Sequence, residues 1–134
     1  MNFLERVQPL GLLILRLVLG AIMIAHGYPK IFGGEIHHLM ETVRSMHLPG
    51  WMAYLCAAAE FGGGILVLLG FLTRFAALAI CIDMLVAIFG VHLKNGFTGQ
   101  GNYQFPLALA AIAFSLIFTG PGAISVDGVR GKAR

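Results

Sequence analysis

Two long apolar runs, each with one acidic residue near its middle, constrain this chain more than any other feature of its sequence. Both runs lie in the segment from Ala57 to His92, on either side of a short turn at Gly70–Arg74. The acids are Glu60 and Asp83. A carboxylate at the centre of a bilayer costs roughly 2.5–3.5 kcal/mol on insertion scales. We therefore expect both acids to face other helices of the protein and not lipid.

The overall composition is that of a membrane protein. Charged residues make up 11% of the chain and hydrophobic residues 58%, whereas soluble domains average about 25% charged residues. The formal charge of +3 comes from basic residues that are scattered beside the apolar runs, which fits membrane topology better than a phosphate-binding patch. We expect an integral membrane protein that contacts lipid and no nucleic acid. The cysteines, Cys56 and Cys81, lack C-x-x-C spacing and are interpreted as inert buried thiols.

The apolar pattern predicts an all-α protein, an integral membrane four-helix bundle with a single domain over residues 1–134. The first apolar run contains Arg16 and has no A-x-A cleavage site, so it is interpreted as a retained span that ends near Gly27–Pro29 and not as a signal peptide. Apolar residues recur at three and four positions within residues 34–47, which predicts a short amphipathic surface helix between spans one and two. The four spans are expected at about 10–28, 50–70, 74–92 and 103–120.

Small residues share a helix face with an ionisable residue in each of the first three spans. In the first span, Arg16, Gly20 and Gly27 lie on one face because they fall at helical spacing. Glu60 likewise has alanine or glycine three or four positions away, and Asp83 has alanine four positions away on each side. Small side chains let helices approach closely, so all three ionisable side chains are expected inside the bundle.

The ionisable residues form two predicted layers. Arg16 is expected near the middle of the membrane, paired with Glu60 or Asp83, and the sequence leaves open which acid it favours. His26 and His92 form a second layer at the ends of spans one and three, roughly 15 Å away along the helices. On an ideal helix His92 lies about 180° from Asp83, so it continues the same face only if the helix between them is distorted.

Two interpretations of these layers stay open. In the structural one, the buried charges neutralise each other and fix which helices touch. In the functional one, intramembrane acids with histidines above them form a proton route or a quinone head-group site, because histidine titrates near neutral pH. Two histidines alone are a weak metal signal, and no metal site is expected. The candidate residues for ligand or proton binding are Arg16, His26, Lys30, Glu60, Asp83, His92 and Tyr103.

Five segments taken together resemble the DoxX family. In chain order from about Leu12 to Asp127, they are LRLVLGAIMIAHGYPKIFG, AAAEFGGGILVLLGFLTR, DMLVAIFGVHLKNGF, YQFPLALAAIAF and GPGAISVD. The positions that match the family's pattern are Arg16, His26, Gly27, Lys30, Glu60, Gly64, Arg74, His92, Asn95 and Gly96. Some related sequences have an acid where this chain has Gln104. The resemblance implies a four-helix bacterial membrane protein associated with oxidoreductase systems, including quinone-reducing thiosulfate oxidation.

From this resemblance we expect a membrane subunit or accessory protein of a quinone-linked oxidoreductase system, and not a self-sufficient enzyme. The sequence has no haem, iron–sulfur or flavin pattern, so no intrinsic cofactor is expected; a bound quinone and a partner redox protein would supply the redox chemistry. Two alternatives stay open: a non-enzymatic membrane anchor or assembly module, and a small proton-coupled transporter of aromatic or hydrophobic compounds. Homo-oligomerisation through the small-residue faces is compatible with all three.

The basic residues predict a topology in the bacterial inner (cytoplasmic) membrane. Four spans place both chain ends on the same side. Five basic residues are expected on that side and three on the other, which favours cytoplasmic N- and C-termini.

Overall fold

The regular secondary structure is helical throughout the described part of the chain. The computed structural model describes residues 2–92 and 104–129. A π-helical turn, Ile88–His92, directly continues α5. The α-helices are α1 (Asn2–Arg6), α2 (Gln8–Phe32), α3 (Ile36–Ser45), α4 (Met52–Leu69), α5 (Thr73–Ala87), α6 (Gln104–Thr119) and α7 (Val126–Val129).

Three helical segments are long and apolar enough to cross a membrane. They are Gln8–Phe32, Met52–Leu69 and Thr73–Gly90. Each of them overlaps one of the first three predicted spans. Helix α6 is apolar but has 16 residues, fewer than the roughly 20 that a straight span needs. A fourth span therefore stays a prediction. The surface helix predicted within residues 34–47 is present as α3, whose Val43 is buried while His37 and His38 are exposed.

The first span is longer than the sequence predicts. Helix α2 continues through Pro29 and ends at Phe32, where the N–H of Gly33 donates a 2.8 Å hydrogen bond to the carbonyl of Pro29. An interior proline removes one helical hydrogen bond, but membrane helices tolerate it when neighbouring elements hold the segment in place. The expected end at Gly27–Pro29 is therefore wrong. The additional turn keeps Lys30 on the helix.

Helices α2 and α4 pack with their backbones almost in contact. A Cβ atom on Gly27 would lie 2.6 Å from the backbone nitrogen of Phe61, and one on Gly20 would lie 2.8 Å from the carbonyl oxygen of Gly64. Real Cβ atoms essentially never approach other atoms so closely, so glycine is required at these crossings. The predicted interior face of α2 is confirmed, because Arg16, Gly20, Met23 and Gly27 are all buried.

We expect Gly27→Ala to destabilise the protein by about 1–3 kcal/mol, because the added methyl group forces α2 away from the backbone of α4. Gly11→Ala is the matched control, since a Cβ at that position of α2 meets nothing within 4 Å. Unfolding in mild detergent, titrated with a denaturing detergent, measures both variants. Equal stability of the two would contradict the close packing.

The remaining helices complete the bundle in chain order. Helix α4 packs on α5, and α5 packs extensively on α6. The main core cluster consists of Leu19, Met23, Val67, Ala76, Ala77, Ile80, Cys81, Met84, Leu109, Ala110, Ala113 and Leu116. Alanine at several of these positions keeps α5 and α6 close together, as small residues do in membrane bundles.

Arg16 binds helix-end carbonyls and not a carboxylate. Arg16 is 1% exposed, and its guanidinium donates to the carbonyls of Val67 (3.0 Å), Leu68 (2.9 Å), Pro121 (3.2 Å) and Ile124 (2.6 Å). The first two belong to the last turn of α4, where carbonyls lack helical partners and carry partial negative charge. Glu60 lies seven residues earlier in α4, about 10 Å along its axis. The expected pairing of Arg16 with an acid is therefore wrong.

Further contacts fix the same end of the bundle. Helix α4 is followed by its C-cap residue Gly70, which has a φ of 76° and accepts a 3.1 Å hydrogen bond from the N–H of Asp127. The carboxylate of Asp127 accepts from the N–H of Leu72 (3.0 Å). Arg74 donates to two carbonyls in the last turn of α6 (3.1 and 3.3 Å). Two arginines thus compensate the carbonyl ends of α4 and α6.

We expect Arg16→Met to lower the free energy of unfolding by about 3 kcal/mol or more, because several carbonyls lose their donor inside the bundle. Arg74→Met, which removes exposed contacts of the same kind, should cost about 1 kcal/mol or less. The same detergent titration compares the two. A small loss for Arg16→Met would show that water replaces the guanidinium.

Candidate functional site

An ion pair joins α2 to α4. The ammonium nitrogen of Lys30 lies 2.5 Å from Oε1 of Glu60, and the two side chains are 19% and 8% exposed. The geometry follows from the glycine packing, because Gly27 contacts the backbone of Phe61, the residue after Glu60. Lys30 is three positions beyond Gly27 and therefore reaches across to the carboxylate. The partner of Glu60 is thus Lys30 and not Arg16, which was one of the two pairings that the sequence left open.

The ion pair lines a cavity of about 300 Å³ between α2, α4, α5 and α6. Its polar side chains are His26, Lys30 and Glu60, and the rest of its wall is formed by Met23, Met84, Ala87, Phe105, Pro106 and Leu109. A small apolar cavity with a few converging polar groups is the usual form of a ligand site. We call it the α2–α4 cavity.

His26 is oriented by its own helix and by α6. Its Nδ1 lies 2.9 Å from the carbonyl oxygen of Ile22, and since that oxygen only accepts, Nδ1 carries the proton. The neutral ring then has Nε2 as an acceptor. The ring centroid lies 5.7 Å from that of Phe105. His26 is thus a candidate to accept a hydrogen bond or a proton at the cavity.

Asp83 is the second buried acid of the site. It is 8% exposed and lies beside Glu60 and Cys56. Its Oδ2 atom is buried and has no hydrogen-bond partner among the described residues. Buried carboxyl oxygens normally have a hydrogen-bond partner. The unpartnered Oδ2 atom of Asp83 is therefore unusual.

The helix between Asp83 and His92 is distorted. Such a distortion is the condition under which His92 can continue the helix face that carries Asp83. The turn Ile88–His92 is π-helical, and a π turn changes the angular register of the residues that follow it. The side chain of His92 and the whole of Tyr103 lie outside the described residues, as do Asn95 and Gly96.

The structure rearranges the predicted layers. Glu60 shares the α2–α4 cavity with His26 and Lys30, whereas Arg16 lies with the carbonyls at the end of α4. The expected separation of roughly 15 Å between Glu60 and His26 is therefore wrong. Paired glycines were the sequence signal that could have revealed this, because Gly20 opposes Gly64 and Gly27 opposes the residue after Glu60.

Comparison with known proteins identifies the family. Residues 11–93 match the DoxX family profile, which is more than half of the 134-residue chain. This chain belongs to the DoxX family. The resemblance seen in the sequence is confirmed, and the chain is a membrane protein.

The chain has relatives of similar length in Bacillus subtilis and Escherichia coli. A Bacillus subtilis relative whose name, CatD, describes it as a candidate oxidoreductase is 35% identical over 88% of this chain and 85% of its own. Two Escherichia coli relatives are named as inner membrane proteins. YqjF is 32% identical over 96% of this chain and 98% of its own, and YphA is 33% identical over 90% of each. No solved structure matches the chain.

A double-mutant cycle tests the ion pair. Glu60→Gln and Lys30→Met should each destabilise the protein by about 2 kcal/mol, because each leaves a largely buried charge unpaired. The double variant should lose less than the sum, with a coupling energy of about 1–3 kcal/mol. Glu41→Gln, on the exposed side of α3, should change stability by less than about 0.5 kcal/mol. Strict additivity would show that the two charges do not interact.

Proposed function

We propose that this DoxX protein is a membrane subunit or accessory protein of a quinone-linked oxidoreductase system, and that the α2–α4 cavity receives a quinone head group. The observation that carries the proposal is the convergence of Lys30, Glu60 and His26 on one small cavity, whose other described lining residues are apolar. The name of the CatD relative as a candidate oxidoreductase supports the same class of function.

The residues present fit a quinone carbonyl. An ammonium group has three donors, and the contact with Glu60 uses one of them, so Lys30 keeps donors for a ligand oxygen. Glu60 and His26 are groups that hold and return protons. A volume of about 300 Å³ is at the lower end of the range for small-molecule sites, which suits a ring whose tail remains in the lipid.

The proposal divides the redox work between two proteins. Quinone reduction consumes two electrons and two protons, and the quinone supplies the electron-accepting chemistry. This chain would contribute binding and proton exchange through Lys30, Glu60 and His26, and a partner redox protein would carry the electron source. The accessory role follows from that division.

The membrane arrangement belongs to the same proposal. We assign α6 as a fourth, short span, so that both chain ends lie on the cytoplasmic side of a bacterial inner membrane. The bias of basic residues towards that side supports the assignment, as do the names of the two Escherichia coli relatives.

The alternative of a membrane anchor or assembly module is favoured by one observation. Arg16 is a fully buried charge that serves the fold by binding carbonyls, and the pair of Lys30 with Glu60 would likewise fix the contact between α2 and α4. Buried pairs do specify helix arrangements in other proteins. The experiment below separates the two functions.

Quantifying quinone that stays with the protein after gentle solubilisation tests the proposal. We expect one bound quinone per chain, and a loss of about tenfold or more in Glu60→Gln and in His26→Ala, because each removes a group that contacts the head group. His37→Ala and Glu41→Gln, on exposed positions of α3, are the matched controls and should retain it. A redox partner that co-purifies without quinone, and equally with all variants, would instead establish the anchor function.

A further inference from the structure

A second and larger cavity lies on the other side of the two acids. This groove of about 510 Å³ runs between α3, α4 and α5, and we call it the α4–α5 groove. Leu55, Phe75 and Ile82 belong to its wall and are each more than half exposed, so the groove opens sideways towards the lipid. It shares no lining residue with the α2–α4 cavity.

The wall of the groove is apolar except at one position. Asp83 is the only charged residue among its described lining residues. More than nine-tenths of Asp83 is buried, and its Oδ2 atom has no hydrogen-bond partner in the described part of the chain. An unmet carboxyl oxygen inside an apolar wall costs free energy. A ligand that bonds to it would recover that loss.

We propose that the α4–α5 groove binds an uncharged hydrophobic phenol, whose hydroxyl group hydrogen-bonds the carboxyl group of Asp83. Asp83 lines the groove, so its carboxyl group is the polar group that a ligand there would contact. The proposal does not rest on quinone binding at the α2–α4 cavity.

Three features of the wall select this class of ligand. A hydroxyl group both donates and accepts, so it satisfies Asp83 whether the carboxyl group is ionised or protonated. An aromatic ring suits the sulfur atoms of Met46 and Met52 and the ring of Phe75, because sulfur and aromatic groups attract one another. The acid repels the phosphate of a phospholipid, and the described lining residues include no second charged side chain that could bind a larger head group.

Competition with a photoreactive phenol tests the site. The protein in lipid nanodiscs is labelled with an alkylphenol that carries a diazirine in its chain, and mass spectrometry locates the label. We expect labelling on the segments that line the groove, around Met52–Leu55 and Phe75–Ile82. Labelling spread evenly over all lipid-facing helices would overturn the proposal.

Matched competitors test the hydrogen bond. At equal membrane mole fraction, para-heptylphenol should suppress labelling about tenfold more effectively than para-heptyltoluene, which has a methyl group in place of the hydroxyl. Equal competition by the two would show that Asp83 takes no part, and equal competition by an aliphatic alcohol would overturn the aromatic selectivity.

Variants of the acid complete the test. Asp83→Leu should abolish the preference for the phenol, and Asp83→Asn should retain part of it because the amide still accepts and donates. Glu41→Gln, at an exposed position of α3 that does not line the groove, should leave the preference unchanged. If Asp83→Leu fails to fold, the comparison of the two competitors on the unaltered protein still decides the proposal.

Discussion

The contact between the backbones of α2 and α4 is the interaction on which the rest of the structure depends. Glycine at positions 20, 27 and 64 removes the side chains that would hold the two helices apart. Dispersion contacts and interhelical hydrogen bonds are what bind helices to one another in lipid, since apolar burial gives no advantage there. Close approach of α2 and α4 increases the number of dispersion contacts between them. It also brings polar groups on the two helices within hydrogen-bond distance of each other. Both the Arg16 contacts and the Lys30–Glu60 pair bridge this same interface.

The charged groups have different tasks at different positions along the bundle. Near the end of α4, arginines bind carbonyls that no helical turn can satisfy, so their charge stabilises the fold. Further along the same interface, Lys30 meets Glu60 on the wall of a cavity, where both groups are accessible to a ligand. A buried charge in a membrane protein is therefore not in itself a sign of function. The arginines bind backbone carbonyls, whereas Lys30 pairs with an ionisable side chain beside a cavity. This difference in partner distinguishes the structural charges from the candidate functional ones.

The two buried acids divide the interior into two candidate sites. Glu60 faces the α2–α4 cavity and Asp83 lines the α4–α5 groove, while the two residues are neighbours. A proton or a charge on one acid is felt by the other, because the environment between them is poorly screened.

The sequence alone determined the membrane environment, the helical class, the first three spans, the surface helix and the family. These follow from patterns within single segments: apolar length, helical spacing and the motifs around Arg16, Glu60 and Gly70. The sequence also placed Arg16 and both acids in the interior, because each shares a face with small residues. It could not assign their partners, since a partner depends on how far one helix slides along another.

The tertiary structure shows which groups Arg16 and Glu60 contact. The register of α2 against α4 is set by where the glycines meet, and it moves Arg16 to the carbonyls of Val67 and Leu68 while it brings Lys30 to Glu60. The sequence also did not show that α2 extends through Pro29, because a proline pattern alone predicts a helix end. In the structure this end of the helix packs on α4, where Gly27 and the ring of Phe32 both meet Phe61. No local pattern in the sequence encodes how far one helix is displaced along another.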